Sequence, residues 1–143
     1  MTKLSGVNYP GLVFSINAGD LAASGAAASG SVAGYVTLAK IPKGSVHLLS
    51  EFVVDTAVTG VTTMTGRITT SDTGTHNNIV NYGAATTLLS TSTDIQNTTP
   101  VFESKTTDRD LVFQIAMATG SEVATSVTAG AVRVWFLYTV LGT

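Results

Sequence analysis

The sequence predicts an all-β protein: a single β-sandwich of Greek-key or jelly-roll type, preceded by an extended, small-residue-rich N-terminal arm. Three observations carry this expectation. The chain holds 24 Thr and 17 Val, residues whose branched side chains suit a pleated strand better than a helix. Apolar residues recur with period two through much of the chain, as half-buried strands require. Turn signals separate these runs at intervals of about 8–12 residues, the spacing of a sandwich.

At 143 residues the chain has the length of one domain with one core. Hydrophobic residues make up 44% and charged residues 11%, which excludes a highly charged disordered tail. Seven Lys and Arg against nine Asp and Glu give a net charge of -2. So few scattered positive charges cannot build the basic face that nucleic acid requires, and no nucleic-acid partner is expected. With no cysteine, disulfide frameworks and thiolate metal sites are excluded. No stretch of about 18 apolar residues exists, so no membrane span is expected. The N-terminus lacks a signal-peptide pattern, and synthesis and folding in a cytoplasm are the expectation.

Residues 1–34 read as the arm. Leu12-Val13-Phe14-Ser15-Ile16 forms a compact apolar patch after the turn-forming Tyr9-Pro10-Gly11. The stretch from Ala18 to Ser31 is nearly all small residues, with little to bury and much backbone entropy to lose. It reads as a flexible linker or as an arm ordered by a neighbouring subunit. A short helix over Asp20–Ala28 with Asp20 as N-cap is the structured alternative. Removing residues 1–30 is therefore expected to leave the sandwich folded.

Residues 35–143 read as the sandwich. Tyr35–Ala39 is a first strand, stopped at Ile41-Pro42-Lys43-Gly44. In Ser45–Thr56, Val46, Leu48, Phe52 and Val54 share one face, with His47, Glu51 and Asp55 on the other. Gly60–Thr70 alternates Thr62, Met64 and Ile68 with Thr63, Thr65 and Arg67, and Ser71–Asn78 is a loop. Short strands follow at Ile79–Tyr82, Thr86–Ser90 and Val101–Ser104. Leu111, Phe113, Ile115 and Met117 then alternate regularly. The last strand, Ala131–Leu141, is apolar on both faces: Val132, Val134, Phe136, Tyr138 and Val140 on one, Trp135, Leu137 and Leu141 on the other. Two apolar faces call for a second cover, from within the domain or from a partner.

Reactive groups are sparse. His47 reads as a surface residue beside Glu51. His76, with Asp72 and Asn77-Asn78, lacks the acidic ladder of an EF-hand, so no metal or other cofactor is expected. No G-x-S-x-G elbow is present. The glycines of Gly25–Gly30 have P-loop spacing, but Ser31-Val32 replaces the phosphate-reaching Lys. Asp108-Arg109-Asp110 reads as a solvated turn with a local ion pair. Glu51, Asp55, Asp94 and Glu103 could supply a glycosidase carboxylate pair only at separations the sequence does not fix. Asn97-Thr98-Thr99 matches a glycosylation sequon. The expectation is a protein that is not an enzyme.

The run Ile41-Pro42-Lys43-Gly44-Ser45-Val46, a Thr-rich middle and the ending Ala129-Gly130-Ala131-Val132-Arg133-Val134-Trp135-Phe136-Leu137-Tyr138 resemble the jelly-roll-like decoration (cement) proteins on tailed-bacteriophage heads. The resemblance covers residues 35–143 and implies no catalytic residue. It implies a homo-oligomer, a trimer, bound to the major capsid protein on the outside of the virion. A fibre or tail module recognising host-surface carbohydrate is the alternative, since such modules share the ending. Partner contacts are expected from Leu12, Val13, Phe14 and Ile16 of the arm and from Trp135 and Leu137 of the last strand.

Overall fold

A computed structural model describes residues 2–4, 7–9, 11–97, 101–102 and 107–140, and side chains within 12–92 and 107–140. The strands are β1 (Thr2–Leu4), β2 (Val7–Tyr9), β3 (Gly11–Asn17), β4 (Gly34–Ile41), β5 (Ser45–Thr59), β6 (Thr65–Asp72), β7 (Val80–Asn81), β8 (Thr86–Thr87), β9 (Ser92–Asn97), β10 (Val101–Phe102), β11 (Arg109–Ala116) and β12 (Ala129–Val140). A short helix, α1 (Ala18–Ala22), follows β3.

Two antiparallel sheets form a sandwich. One runs β3-β12-β5, with β9 and β10 both on the far edge of β5. The other runs β4-β11-β6, with β7 and β8 on the far edge of β6. The chain goes out through β3, β4, β5 and β6, alternating sheets, and comes back through β7/β8, β9/β10, β11 and β12. Each outgoing strand pairs with its returning counterpart: β3 with β12, β4 with β11, β5 with β9 and β10, β6 with β7 and β8. One long ribbon wound around a core in this way is a jelly roll.

The inward rows supply that core. Phe52 on β5 meets Phe113 on β11 edge to face, centroids 5.1 Å apart, joining the two sheets. Ile68, Leu111 and Ile115 from the second sheet, and Val54, Val132, Val134 and Phe136 from the first, complete the layer.

Residues 11–34 do not form an arm. β3 pairs with β12 without a register break from Gly11↔Leu137 to Asn17↔Ala131. Ile16, Leu21 and Ala26 are buried in the common core. The small residues are what let this segment pack: Gly34 is buried against Ala26 and Ser24, and a Cβ there would lie 2.6 Å from the Ala26 nitrogen. The helix starts earlier than expected. Its N-cap is Asn17, whose side-chain oxygen accepts from the Asp20 N–H at 2.9 Å while Asp20 accepts from the Asn17 N–H at 3.0 Å.

The period-two reading of β5 holds at Phe52 and Val54 and fails at its start. His47 pairs with Tyr138 and Leu49 with Leu137, leaving Leu48 as an extra residue, a β-bulge. One extra residue exchanges the two faces. His47 is therefore fully buried, stacked on Tyr82 (4.2 Å) and packed against Phe136 (4.9 Å), and is not a surface residue. Asp108-Arg109-Asp110 is also not a solvated turn. Arg109 and Asp110 begin β11 and are buried, and the Arg109 partner lies 37 residues away. Its guanidinium donates to Asp72 Oδ1 (2.9 Å), to the Thr70 carbonyl (3.1 Å) and to the Asn78 carbonyl. Asp110 accepts the Gly74 N–H at 2.8 Å. Together they hold the loop after β6 in one shape. Strand β9 is absent from the sequence expectation because Ser-Thr-Asp-Ile-Gln-Asn carries no apolar alternation.

At the opposite end, Glu122 ties loops together. Its carboxylate accepts the N–H and hydroxyl of Thr62 (2.6 and 2.7 Å) and the N–H and hydroxyl of Thr63 (both 3.2 Å). Its own carbonyl accepts the Ala28 N–H at 2.9 Å. The hydrogen bonds from Thr62, foremost its hydroxyl, hold the Glu122 carboxyl below its ordinary value against a smaller opposing effect of desolvation.

Two outcomes follow. Deleting residues 1–30 removes β3 and the buried Ile16 and Leu21, each worth roughly 1.5–3 kcal/mol, from a fold whose total stability is about 5–15 kcal/mol. The truncated chain should lose its cooperative melting transition in circular dichroism. The second outcome concerns pH. A lowered folded-state pKa means that Glu122 contributes stability above its unfolded value, about 4.3, and loses it as pH falls through the folded value. The melting-temperature gap between the parent and Glu122→Gln should be open at pH 7 and close in acid.

Candidate interaction surface

The outward face of the β3-β12-β5 sheet carries one of the exposed large hydrophobic side chains, Val13, beside the half-buried Trp135. Register sets its rows. Val13, Trp135 and Glu51 lie side by side across the three strands, and Ser15, Arg133 and Val53 form the next row. Val13 is 55% exposed, the most open of the exposed large hydrophobic side chains among the described residues. Trp135 is half-buried beside it.

Arg133 is held in place by both its neighbours. Its Nε and Nη2 donate to the two oxygens of Asp55 at 2.5 and 2.8 Å, a bidentate pair. Its guanidinium carbon sits 4.9 Å from the centre of a Trp135 ring, within cation–π range. Hydrogen bonding from Arg133 is the main reason that the Asp55 carboxyl lies below its ordinary value, and the same bond raises Arg133. A planar ring, a paired cation and an open aliphatic side chain thus lie together on this face, and Trp and Arg are residue types enriched at binding hot spots.

The six residues expected to meet a partner divide between two faces. Leu12, Phe14 and Ile16 point inward, Ile16 fully buried and the other two partly open at the sheet edge. Val13 and Trp135 lie together on the outward face. Leu137 shares the outward register of Trp135 but is buried. The element β2, which belongs to neither large sheet, approaches β12. Leu141 lies outside the described residues. Arg133 and Asp55 were not legible as a pair, because only the β5–β12 register brings positions 78 apart together.

The candidate chemical residues do not converge. Asp55 is engaged by Arg133, and Asp72 by Arg109 and the Asn78 amide. His76 stacks on Tyr35 at 4.1 Å. Glu103, Thr98 and Thr99 lie outside the described residues, and the Asp94 and Asn97 side chains are likewise not described. Among the described residues, no three His, Asp or Glu side chains cluster as metal ligands would, and no helix is long and apolar enough to cross a membrane.

No protein-family model matches the chain, and neither does any curated protein. Among solved structures, the chain is similar to one of infectious bursal disease virus, Gx strain, at a TM-score of 0.47 and 13% identity, over 94% of this chain and 34% of that one. It is also similar to the T13 particle of the same virus at a TM-score of 0.30 and 12% identity, over 92% of this chain and 36% of that one. The chain thus spans about a third of the length of those proteins. The sandwich stands on its own strand order.

The outward face can be read optically, because Trp135 is the chain's one tryptophan. Protonating Asp55 should release Arg133 from its place over the ring. Trp135 emission should therefore shift in acid with a midpoint below the ordinary Asp value of about 3.9, and Asp55→Asn should abolish that transition.

Proposed function

We propose that this chain is a non-enzymatic structural protein of a virus particle, a decoration protein that binds the outside of a tailed-phage head and stabilises it. The observation that carries the reading is the outward Val13–Trp135–Arg133 surface on the β3-β12-β5 sheet, in a molecule whose candidate reactive groups, among the described residues, are dispersed or engaged in structural bonds. Jelly rolls recur in viral capsid and lectin domains, which fits the reading as analogy. The resemblance of residues 35–143 to phage decoration proteins supplies the rest. It puts the major capsid protein as the partner, a homo-oligomer of three copies as the bound form, and the host cytoplasm as the site of synthesis.

One feature favours a second reading, a fibre or tail module that binds host-surface carbohydrate. Trp135 has an aromatic ring beside the hydrogen-bonding groups of Arg133, Asp55 and Glu51, the pairing of apolar face and polar rim that a sugar ring needs.

The two separate in one experiment. Purified protein is mixed with heads assembled without it, and bound chain is measured by co-sedimentation with and without soluble glycans. Saturable binding that glycans leave unchanged, and that Trp135→Ala weakens about 30-fold or more as a hot-spot truncation does, is the expected result. Absent binding to heads, with Trp135 fluorescence quenched by a glycan, would replace the first reading with the second.

A further inference from the structure

We infer that β3 is a docking edge for a second copy of this chain, pairing antiparallel with its own counterpart about a two-fold axis centred on Phe14. Among the described residues β3 is hydrogen-bonded along one side only, to β12. An open strand edge is a template for another strand, and natural proteins blunt such edges with charge, proline, bulges or shortness. β3 has none of these. Gly11–Asn17 contains no charged residue and no proline, its ladder has no register shift, and it is seven residues long. The other edges are blunted: β4 carries Lys40 and a bulge in its pairing, β7, β8 and β10 are two residues each, and β9 carries Asp94.

Two observations select a second copy as the occupant. The first is incomplete cover. Leu12 and Phe14 point toward the core yet stay partly open, whereas Ile16 is closed over. A strand added beside β3 would extend the sandwich layer over both. The second is self-complementarity. Leu12-Val13-Phe14-Ser15-Ile16 reads apolar at alternate positions in either direction. A two-fold axis at Phe14 therefore sets Phe14 beside its own copy, Leu12 beside Ile16, and Val13 beside Ser15, with no charge opposed to a like charge. Isologous contacts demand this property of a surface. The pairing would join the two outward faces into one sheet and partly cover Val13.

This contact goes beyond attachment to a capsid, and it is tested on purified protein alone, so failure here leaves the capsid assay untouched. Mass is measured by light scattering at micromolar concentration. The expected mass is an even multiple of the 14.7 kDa chain: a dimer, or six copies where three-fold rings pair. Val13→Lys with Ser15→Lys places like charges opposite each other on the exposed face and should halve that mass. Val13→Lys with Ser15→Glu sets opposite charges across the same register and should keep it. A parent protein that is a monomer or a lone trimer would overturn the inference. So would a Lys/Lys variant that keeps its circular dichroism spectrum and the parent mass, or a Lys/Glu variant that is folded but halved.

Discussion

Everything in this molecule hangs on β12, a twelve-residue strand hydrogen-bonded along both edges. On one side it closes the ribbon by pairing with β3, the first long strand. On the other it pairs with β5, the longest strand of the sandwich. Its inward residues Val132, Val134 and Phe136 are all buried, and its outward residues Arg133 and Trp135 form the centre of the exposed surface. A strand so placed cannot slip by one residue without exchanging core for surface. The same register that builds the core therefore also builds the surface proposed to meet a partner.

The fold is most legible in the sequence where a strand runs straight. Leu111, Phe113 and Ile115 alternate as read and are buried, as do Val132, Val134 and Phe136. The sandwich class follows from such rows. The fold is illegible where a single residue breaks the period. The bulge at Leu48 turns His47 inward among aromatic rings, and no propensity marks that position in one dimension. Small residues hide structure in a second way, because their composition resembles that of a slack linker. Ala26, Gly34 and their neighbours are small because backbones approach closely there, so the stretch that looked like an arm is packed structure.

Long-range polar contacts were illegible for a different reason. Arg109 with Asp72, Glu122 with Thr62 and Thr63, and Arg133 with Asp55 are separated by 37, about 60 and 78 residues. Only the jelly-roll winding makes them neighbours. Their division of labour is physical: Arg109 fixes the loop after β6 at one end of the sandwich, Glu122 ties loops at the other, and Arg133 shapes the outward face between them. In the absence of any disulfide, these ties and the apolar core hold the ends of a fold that is otherwise mostly backbone ladder.

The claim most central to this picture is that β3 is part of the sheet. Residue-resolved hydrogen exchange on the purified full-length chain tests it directly. Amides of residues 12–17 that face β12 should be protected to the same order as the paired amides of β12 itself, because they open only with the whole fold. Rapid exchange throughout residues 12–17, beside a fully protected β12–β5 ladder, would contradict it and return that segment to the status of a detachable arm.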